Sequence, residues 1–538
     1  MDISITRDQY PVLFGGLGFH NNEACLLPII EQEHFNQVLC KNYREISPGI
    51  MRTFAGYSDW TKQAMDDFAR CYEKMYRWTD TPMYLTSAKG KIHFSEEEMQ
   101  RYCDDVAKNL VYLIEKKGVR HIRYYCFSNE LTQGKYGWLN HDLPLFKRYH
   151  EMLYRAFQNH GLDVGLLATD ATGYENWKSI DWAIENMDRI TEDYCVHIYE
   201  KNHDIYNLDF YSFFYEKCRE YVDKAICNDG KRLILGEIGV TKSGGQLTYK
   251  SGIVVDTCGY FETGEEAHAA LMLTEMAFAA INAGVYACIF WSYTDYPEPY
   301  SCAYAETGYG AKWCQAEKFA SATVDFKYNK WGLTKWEDDG DYSARDHYWC
   351  LGYLVKLFKR NSKVLNVDSK DPMLRMCGIM NKDMSVSVGI VNRHKNTVTV
   401  RACANGFFKK KARVYEYDSN HVPKNKFCDL QTYAYEIEDG DEIELKPESV
   451  TFITTDYTER DYKVYATDLK VECGRLSWNE IRGGDHCYYR VYASENMDFE
   501  PSPENQIAST IAESIPVNDE KLFYKVLSVD KSGNCYGK

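Results

Sequence analysis

Short apolar runs alternate with segments of helical periodicity from residue 10 to about residue 361, and eight such runs can be counted. They are Val12-Leu-Phe-Gly-Gly-Leu17, Ile50-Met-Arg-Thr-Phe54, Met83-Tyr-Leu-Thr86, Ile122-Arg-Tyr-Tyr-Cys-Phe127, Val164-Gly-Leu-Leu-Ala-Thr169, Tyr194-Cys-Val-His-Ile-Tyr199, Leu233-Ile-Leu-Gly236 and Tyr286-Ala-Cys-Ile-Phe-Trp291. Strands separated by helices lie parallel, because each helix carries the chain back to the edge where the next strand starts. Eight βα units predict a closed (β/α)8 barrel, with its chemistry at the carboxyl ends of the strands. A doubly wound open sheet is the alternative. It usually carries a glycine-rich nucleotide turn, and Gly15-Gly16-Leu17-Gly18 lacks the required spacing.

The connecting segments fit that frame. Ser95 to Lys117 opens Ser-Glu-Glu-Glu, a helix-capping signal. Met276 to Thr294 carries no charge, which raises a membrane span, but it holds Asn282 and Gly284 and continues an amphipathic pattern from Glu265. It reads as a helix, a glycine stop and a buried strand. After the eighth strand, residues 295–342 are dense in aromatics, among them Tyr296, Tyr300, Tyr304, Tyr309, Trp313, Phe319, Trp331 and Trp336, and suggest an ordered wall over the barrel mouth. Apolar residues at helical spacing over Asp346–Arg360 predict the closing helix.

From about residue 362 the period changes to strand alternation, in Ser385-Val-Ser-Val-Gly-Ile-Val391, Thr397-Val-Thr-Val400, Ala412-Arg-Val-Tyr-Glu-Tyr417 and Val450-Thr-Phe-Ile-Thr454. This predicts an antiparallel β-sandwich to about residue 456. A last unit, 457–538, carries Leu476-Ser-Trp478, Tyr488-Tyr-Arg-Val-Tyr492 and Phe523 to Asn534 with its Val-Asp-x-x-Gly-Asn ending; it resembles a fibronectin type III domain. The expected division is a barrel over 1–361, a sandwich over 362–456 and a fibronectin type III-like sandwich over 457–538.

Composition narrows the function. A formal net charge of −16 opposes binding to nucleic acid or an anionic membrane. The 19 Cys residues are scattered singly, odd in number and without any C-x-x-C, so they read as reduced buried thiols and neither a disulfide framework nor a zinc site. Met1-Asp-Ile-Ser-Ile-Thr-Arg-Asp8 shows no secretory signal, and a cytoplasmic location is expected. A homo-oligomer through the β domains is compatible with the sequence. The motifs of other hydrolase and nucleotide-binding classes, G-x-S-x-G, H-E-x-x-H and the P-loop, are missing. Neither a metal nor an organic cofactor is implied.

Two strands end in a carboxylate, Glu130 after His121-Ile-Arg-Tyr-Tyr-Cys-Phe-Ser-Asn129 and Glu237 after Arg232-Leu-Ile-Leu-Gly236. Packing does not favour Glu at the end of a buried strand, so another demand placed them there. A glycosidic bond breaks through an oxocarbenium-like transition state, which calls for a proton on the leaving oxygen and an anion on the opposite face. Glu130 would be the acid and then the base, and Glu237 the nucleophile, with carboxyl groups about 5 to 5.5 Å apart.

With Ser128-Asn129-Glu130 closing the fourth strand, Gly236-Glu237 the seventh, Arg52 on the second, His197-Ile-Tyr199 on the sixth and Trp291 on the eighth, residues 10–361 resemble the barrel glycoside hydrolases of clan A. Families 5, 30 and 39 are nearest in style, and the sandwich after the barrel is similar to families 30 and 39. No one family pattern is matched throughout. The resemblance implies that Asn129 bonds the sugar 2-hydroxyl, that Arg52 and Tyr199 hold the Glu237 carboxylate, and that Trp291 forms a platform under the ring. His197 is either a sugar contact or a structural histidine. Asp59, Trp60, His20, Asn21, Asp170 and Asp295 follow strand ends and are candidates to line the pocket. The expected partner is a carbohydrate, cleaved in the exo mode from small glycosides or oligosaccharides. An endo-acting β-glycanase and a carbohydrate-binding protein without activity are the alternatives, and retention of both Glu130 and Glu237 argues against the last.

Overall fold

In the computed structural model the described residues are 2–9, 13–21, 30–55, 58–87, 95–131, 142–201, 208–227, 230–241, 249–250, 253–254, 265–294, 296–297, 328–329, 332–335, 343–403, 408, 410–430, 432–457, 466–481, 485–518 and 522–536. Strand β1 (Asp2–Gln9) is followed by β2 (Gly16–His20), β3 (Ile50–Phe54), β4 (Met83–Thr86), β5 (Ile122–Cys126), β6 (Gly165–Thr172), β7 (Asp193–Lys201), β8 (Leu233–Thr241) and β9 (Ala287–Phe290). Strands β2 to β9 pair in parallel and close into a barrel, β9 returning to β2. A helix follows each of them: α1 (Lys41–Ile46), α2 (Lys62–Cys71), α3 (Glu96–Val111), α4 (Leu143–Asn159), α5 (Ser179–Met187), α6 (Leu208–Ile226), α7 (Glu265–Ala283) and α8 (Tyr348–Leu357). Ser95 caps α3, as its sequence implied: its hydroxyl oxygen accepts from the Glu98 amide and its O–H donates to the Glu98 carboxylate. Thr61 and Asp142 cap α2 and α4, their side chains accepting from the Ala64 and Leu145 amides.

Two placements differ from the sequence reading. The first barrel strand begins at Gly16, four residues later than the apolar run suggests, because Phe14 already pairs with Ser362 and Asn361 beneath the barrel. Only glycine fits the strand at position 18, where a Cβ would stand 1.6 Å from the Ile50 carbonyl oxygen. Strand β1, which the sequence groups with the barrel, instead lies in the second unit, antiparallel to Lys363–Asp368 and parallel to Val398–Cys403. The predicted aromatic wall falls largely outside the described residues; within it are seen the backbone strands Tyr296–Pro297 and Tyr328–Asn329, paired with each other, and residues 332–335, where Thr334 bridges to Thr294 and Ala344.

Below the mouth, Ile50, Tyr84, Tyr124, Cys126, Leu167, Cys195, Ile234, Ala287 and Ile289 fill the barrel interior, so it is a packed core and not a channel. The second unit is a nine-stranded antiparallel-rich sheet that includes β1. Its strand Leu374–Met380 shows period two with both faces buried: Leu374, Met376 and Met380 enter the unit's own core, while Cys377 and Ile379 join the core shared with the barrel helices. The last unit packs a three-stranded sheet and a four-stranded sheet around Leu476, Trp478, Tyr489, Val491 and Val526. Among the described residues the cysteines are free thiols, most of them buried. No helix among the described residues is long and apolar enough to cross a membrane.

Candidate active site

The strand registers bring the predicted residues to one level. His20, Arg52 and Tyr84 are consecutive partners across β2, β3 and β4, and His197 on β7 lies beside Glu237 on β8. Two bulges shape this level. Asp170 is the extra residue of β6 between Thr169 and Ala171, and Gly236 is the extra residue of β8 before Glu237. A bulge re-aims the side chains around it. At Gly236 a Cβ would meet the Cys195 sulfur at 2.4 Å and crowd both His197 Nε2 and Asp170 Oδ1, so the glycine before Glu237 makes room for that pair.

Arg52, fully buried, is the centre of the constellation. Its Nη1 donates to Glu237 Oε1 at 2.5 Å and to His20 Nδ1 at 3.1 Å; its Nη2 donates to Asn129 Oδ1 at 2.5 Å and to Asp170 Oδ2 at 3.0 Å. The second Glu237 oxygen accepts from the Tyr199 hydroxyl. His197 donates from Nε2 to Asp170 Oδ1 at 2.8 Å, and its Nδ1 lies 3.5 Å from Glu130 Oε1 and 3.6 Å from Glu237 Oε1. One oxygen from Glu130, one from Glu237 and this nitrogen all lie within 4.8 Å of one another. Glu130 follows β5 with φ +49°, a left-handed backbone rare for Glu, and it is buried.

Burial, helped by the charge of Glu130, pushes the Glu237 carboxyl above its ordinary value, against the opposing pull of His197, Arg52 and Tyr199. Burial alone would strip His197 of its proton, but Asp170 first, then Glu237 and Glu130, outweigh it and push the imidazole up to about 9. Burial likewise opposes ionisation of Asp170, yet His197 and Arg52 hold it far below the usual carboxylate range. Burial and then Arg52 keep His20 neutral. A guanidinium can only donate, so His20 Nδ1 accepts and its proton sits on Nε2, a buried atom with no partner among the described residues. The His20 ring stacks on Trp291, centroids 4.2 Å apart, and Phe54 meets the same indole edge-on.

All seven principal candidates therefore converge: Glu130, Glu237, Asn129, Arg52, His197, Tyr199 and Trp291. Of the secondary ones, His20 and Asp170 join them, while Asn21 donates to the Tyr76 hydroxyl, Trp60 packs on Phe68 and Asp59 is exposed. Asp295 lies outside the described residues. Tyr84 and Cys195, which both donate to Asp170 Oδ1, escaped the sequence reading; they sit inside strands and look like ordinary core residues. The Glu130, His197 and Glu237 ligand atoms have the spread of a metal site, but the Arg52 cation bonded to Glu237 and the proton held on His197 oppose one.

No protein-family model matches this sequence, and no curated protein matches it. Solved structures do resemble the fold. A bacterial orthologue of human α-L-iduronidase superposes with TM-score 0.58 at 13% identity, covering 100% of this chain and 99% of that one. The catalytic domain of a family 30 xylanase C from Talaromyces cellulolyticus gives 0.54 at 13% identity, over 84% of this chain and 99% of that one. An endo-β1,6-glucanase gives 0.53 at 10% identity, over 84% and 93%. The fold is thus the barrel-plus-sandwich architecture that these glycoside hydrolases share.

Proposed function

We propose that this chain is a retaining glycoside hydrolase acting on a carbohydrate, with Glu237 as nucleophile and Glu130 as acid and base. The observation that carries this reading is the carboxylate pair: two buried carboxyls, Glu130 just beyond β5 and Glu237 within β8, where the sequence had placed it at the strand's end, each offering one oxygen within 4.8 Å of the other's. Inverting enzymes leave about 6.5 to 9.5 Å for a water, whereas double displacement needs about 5 to 5.5 Å. In the first half of the reaction a Glu237 oxygen bonds the anomeric carbon while Glu130 gives its proton to the departing oxygen. In the second half Glu130 takes a proton from water, and that water's oxygen replaces Glu237 on the same carbon.

The neighbours suit these tasks. Arg52 and Tyr199 fix both oxygens of Glu237 and favour its ionised form. Asn129 has its carbonyl oxygen held by Arg52, which leaves the amide protons for a sugar hydroxyl. His20 Nε2–H, unpartnered among the described residues, is a second donor, and Trp291 offers the apolar face on which a ring stacks. A β-glycosidic substrate and the exo mode complete the proposal, the exo mode resting on the aromatic density of residues 295–342. Likewise proposed are the division into three units near residues 361 and 456 and the fibronectin type III-like character of the last, which supplies no residue to the site described here.

The test is a hydrolysis screen of aryl β- and α-glycosides and of short oligosaccharides, with the anomer of the first product read by NMR. Release of one sugar with retained configuration, lost in Glu237→Ala, is the expected result. Inversion overturns the mechanism, activity on oligosaccharides alone turns the exo reading into endo, and inactivity on all substrates favours a binding protein.

A further inference from the structure

We propose that Asp170 is a positioning residue that keeps His197 a proton-bearing cation, and that this cation serves Glu237 and Glu130 in turn as their charges exchange during the reaction. The inference rests on the assignment of Glu130 and Glu237 above. Asp170 is fully buried, stands in a bulge with φ +58°, and accepts from four side chains on three strands: Arg52 at 3.0 Å, His197 at 2.8 Å, Tyr84 at 2.7 Å and Cys195 at 3.0 Å. The other ring nitrogen of His197 is almost equidistant from the two glutamates, at 3.5 and 3.6 Å.

Charge counting gives this geometry a purpose. Arg52 and His197 supply two positive charges against three carboxyls, Asp170, Glu237 and Glu130, so the cluster is neutral when one carboxyl holds a proton. The roles assigned above require that proton on Glu130 and the anion on Glu237 when the anomeric carbon is attacked. In the glycosyl-enzyme Glu237 is esterified and Glu130 has given its proton to the leaving group, so the anion is now Glu130. A cation equally close to both stays paired through both states without moving, and Asp170 is what holds the proton on it. The groups facing His197 are Asp170 from β6, Glu130 after β5 and Glu237 from β8; Arg52 from β3 and Tyr84 from β4 act through Asp170, and His20 from β2 lies behind Arg52.

Nitrogen-15 NMR of labelled histidine reads the protonation of His197 directly, its signals identified by their loss in His197→Gln. In the wild type both ring nitrogens should carry protons at pH 7.5, as expected for an imidazole pushed up to about 9. In Asp170→Asn the ring should be neutral at that pH, with kcat lower by roughly 10- to 100-fold, KM little changed and the alkaline limb of activity moved to lower pH. A neutral His197 in the wild type overturns the proposal even if Asp170→Asn does not fold, and so does a variant whose His197 stays charged. Because the spectrum is taken on resting protein, it is independent of the catalytic assignment, which Glu237→Ala tests separately.

Discussion

Two buried clusters of charge stand at opposite purposes in this molecule. The one at the barrel mouth has been described; the other joins all three units. There Lys41 of α1 bridges Asp429 at 3.0 Å and Glu45 at 3.4 Å, while Arg490 of the last unit donates to Asp429 at 2.9 Å. Tyr488 links Arg490 to Glu45, and Ser509 and Gln506 add donors to Asp429. This junction has two cations for two carboxylates and no acid to spare. The site has two cations for three carboxylates. The junction balances its charges, whereas the cluster at the barrel mouth carries one carboxyl more than its cations.

Breaking the excess should have the largest effect. Glu237→Ala is expected to lower turnover by roughly 10⁴-fold or more, with partial recovery in azide and an azide-sugar product of inverted configuration; a variant that keeps its activity would contradict the pairing. Glu130→Ala should cost roughly 10² to 10⁴-fold on substrates with poor leaving groups and much less on aryl glycosides that leave unaided. Equal losses on both would deny it the role of acid.

The junction should respond differently. Asp429→Ala leaves Arg490 buried without its carboxylate and Lys41 with Glu45 alone, at a cost of about 3 to 5 kcal/mol, seen as a lower unfolding midpoint with kcat at 25 °C within about twofold. A large loss of kcat in folded protein would mean the two clusters are coupled. Acid titration separates them more finely. The Glu237 carboxyl is raised by burial and by Glu130, so its anion is lost, and activity with it, as pH falls through a value above 4.5. Burial raises Asp429 too, but Lys41 and Arg490 outweigh it and leave its folded value depressed. The stability it contributes is therefore present above the unfolded value and disappears only as pH falls through the lower folded one. Activity should fade while the unfolding midpoint still holds; the reverse order would refute these signs.

The barrel was legible because its signal is local: apolar runs of strand length, each followed by a capped helix, survive in a single pass along the chain. The proposed carboxylate pair was legible for a related reason, since a Glu after an apolar run conflicts with packing. Asp170 was harder. It is one of several acidic residues near strand ends, and its importance comes from a bulge that shifts register against a neighbouring strand, a property of pairing that no periodicity in β6 displays. The junction lay further out of reach, because Lys41, Asp429 and Arg490 are each unremarked in their own segments and meet only after three units dock. The place of β1 was hidden for the same reason: both its partners lie more than 350 residues away.

That last pairing also bears on how the protein is made. Strand β1 is synthesised before every strand of the barrel, yet its parallel partner ends at Cys403, about 390 residues later. At roughly 5 to 20 residues per second, an unpaired edge is exposed for about 20 to 80 s while the whole barrel is synthesised in between. Strand β1, made before the barrel, finds its partners only after the barrel strands have been made, so the nine-stranded sheet cannot be completed before barrel synthesis is over.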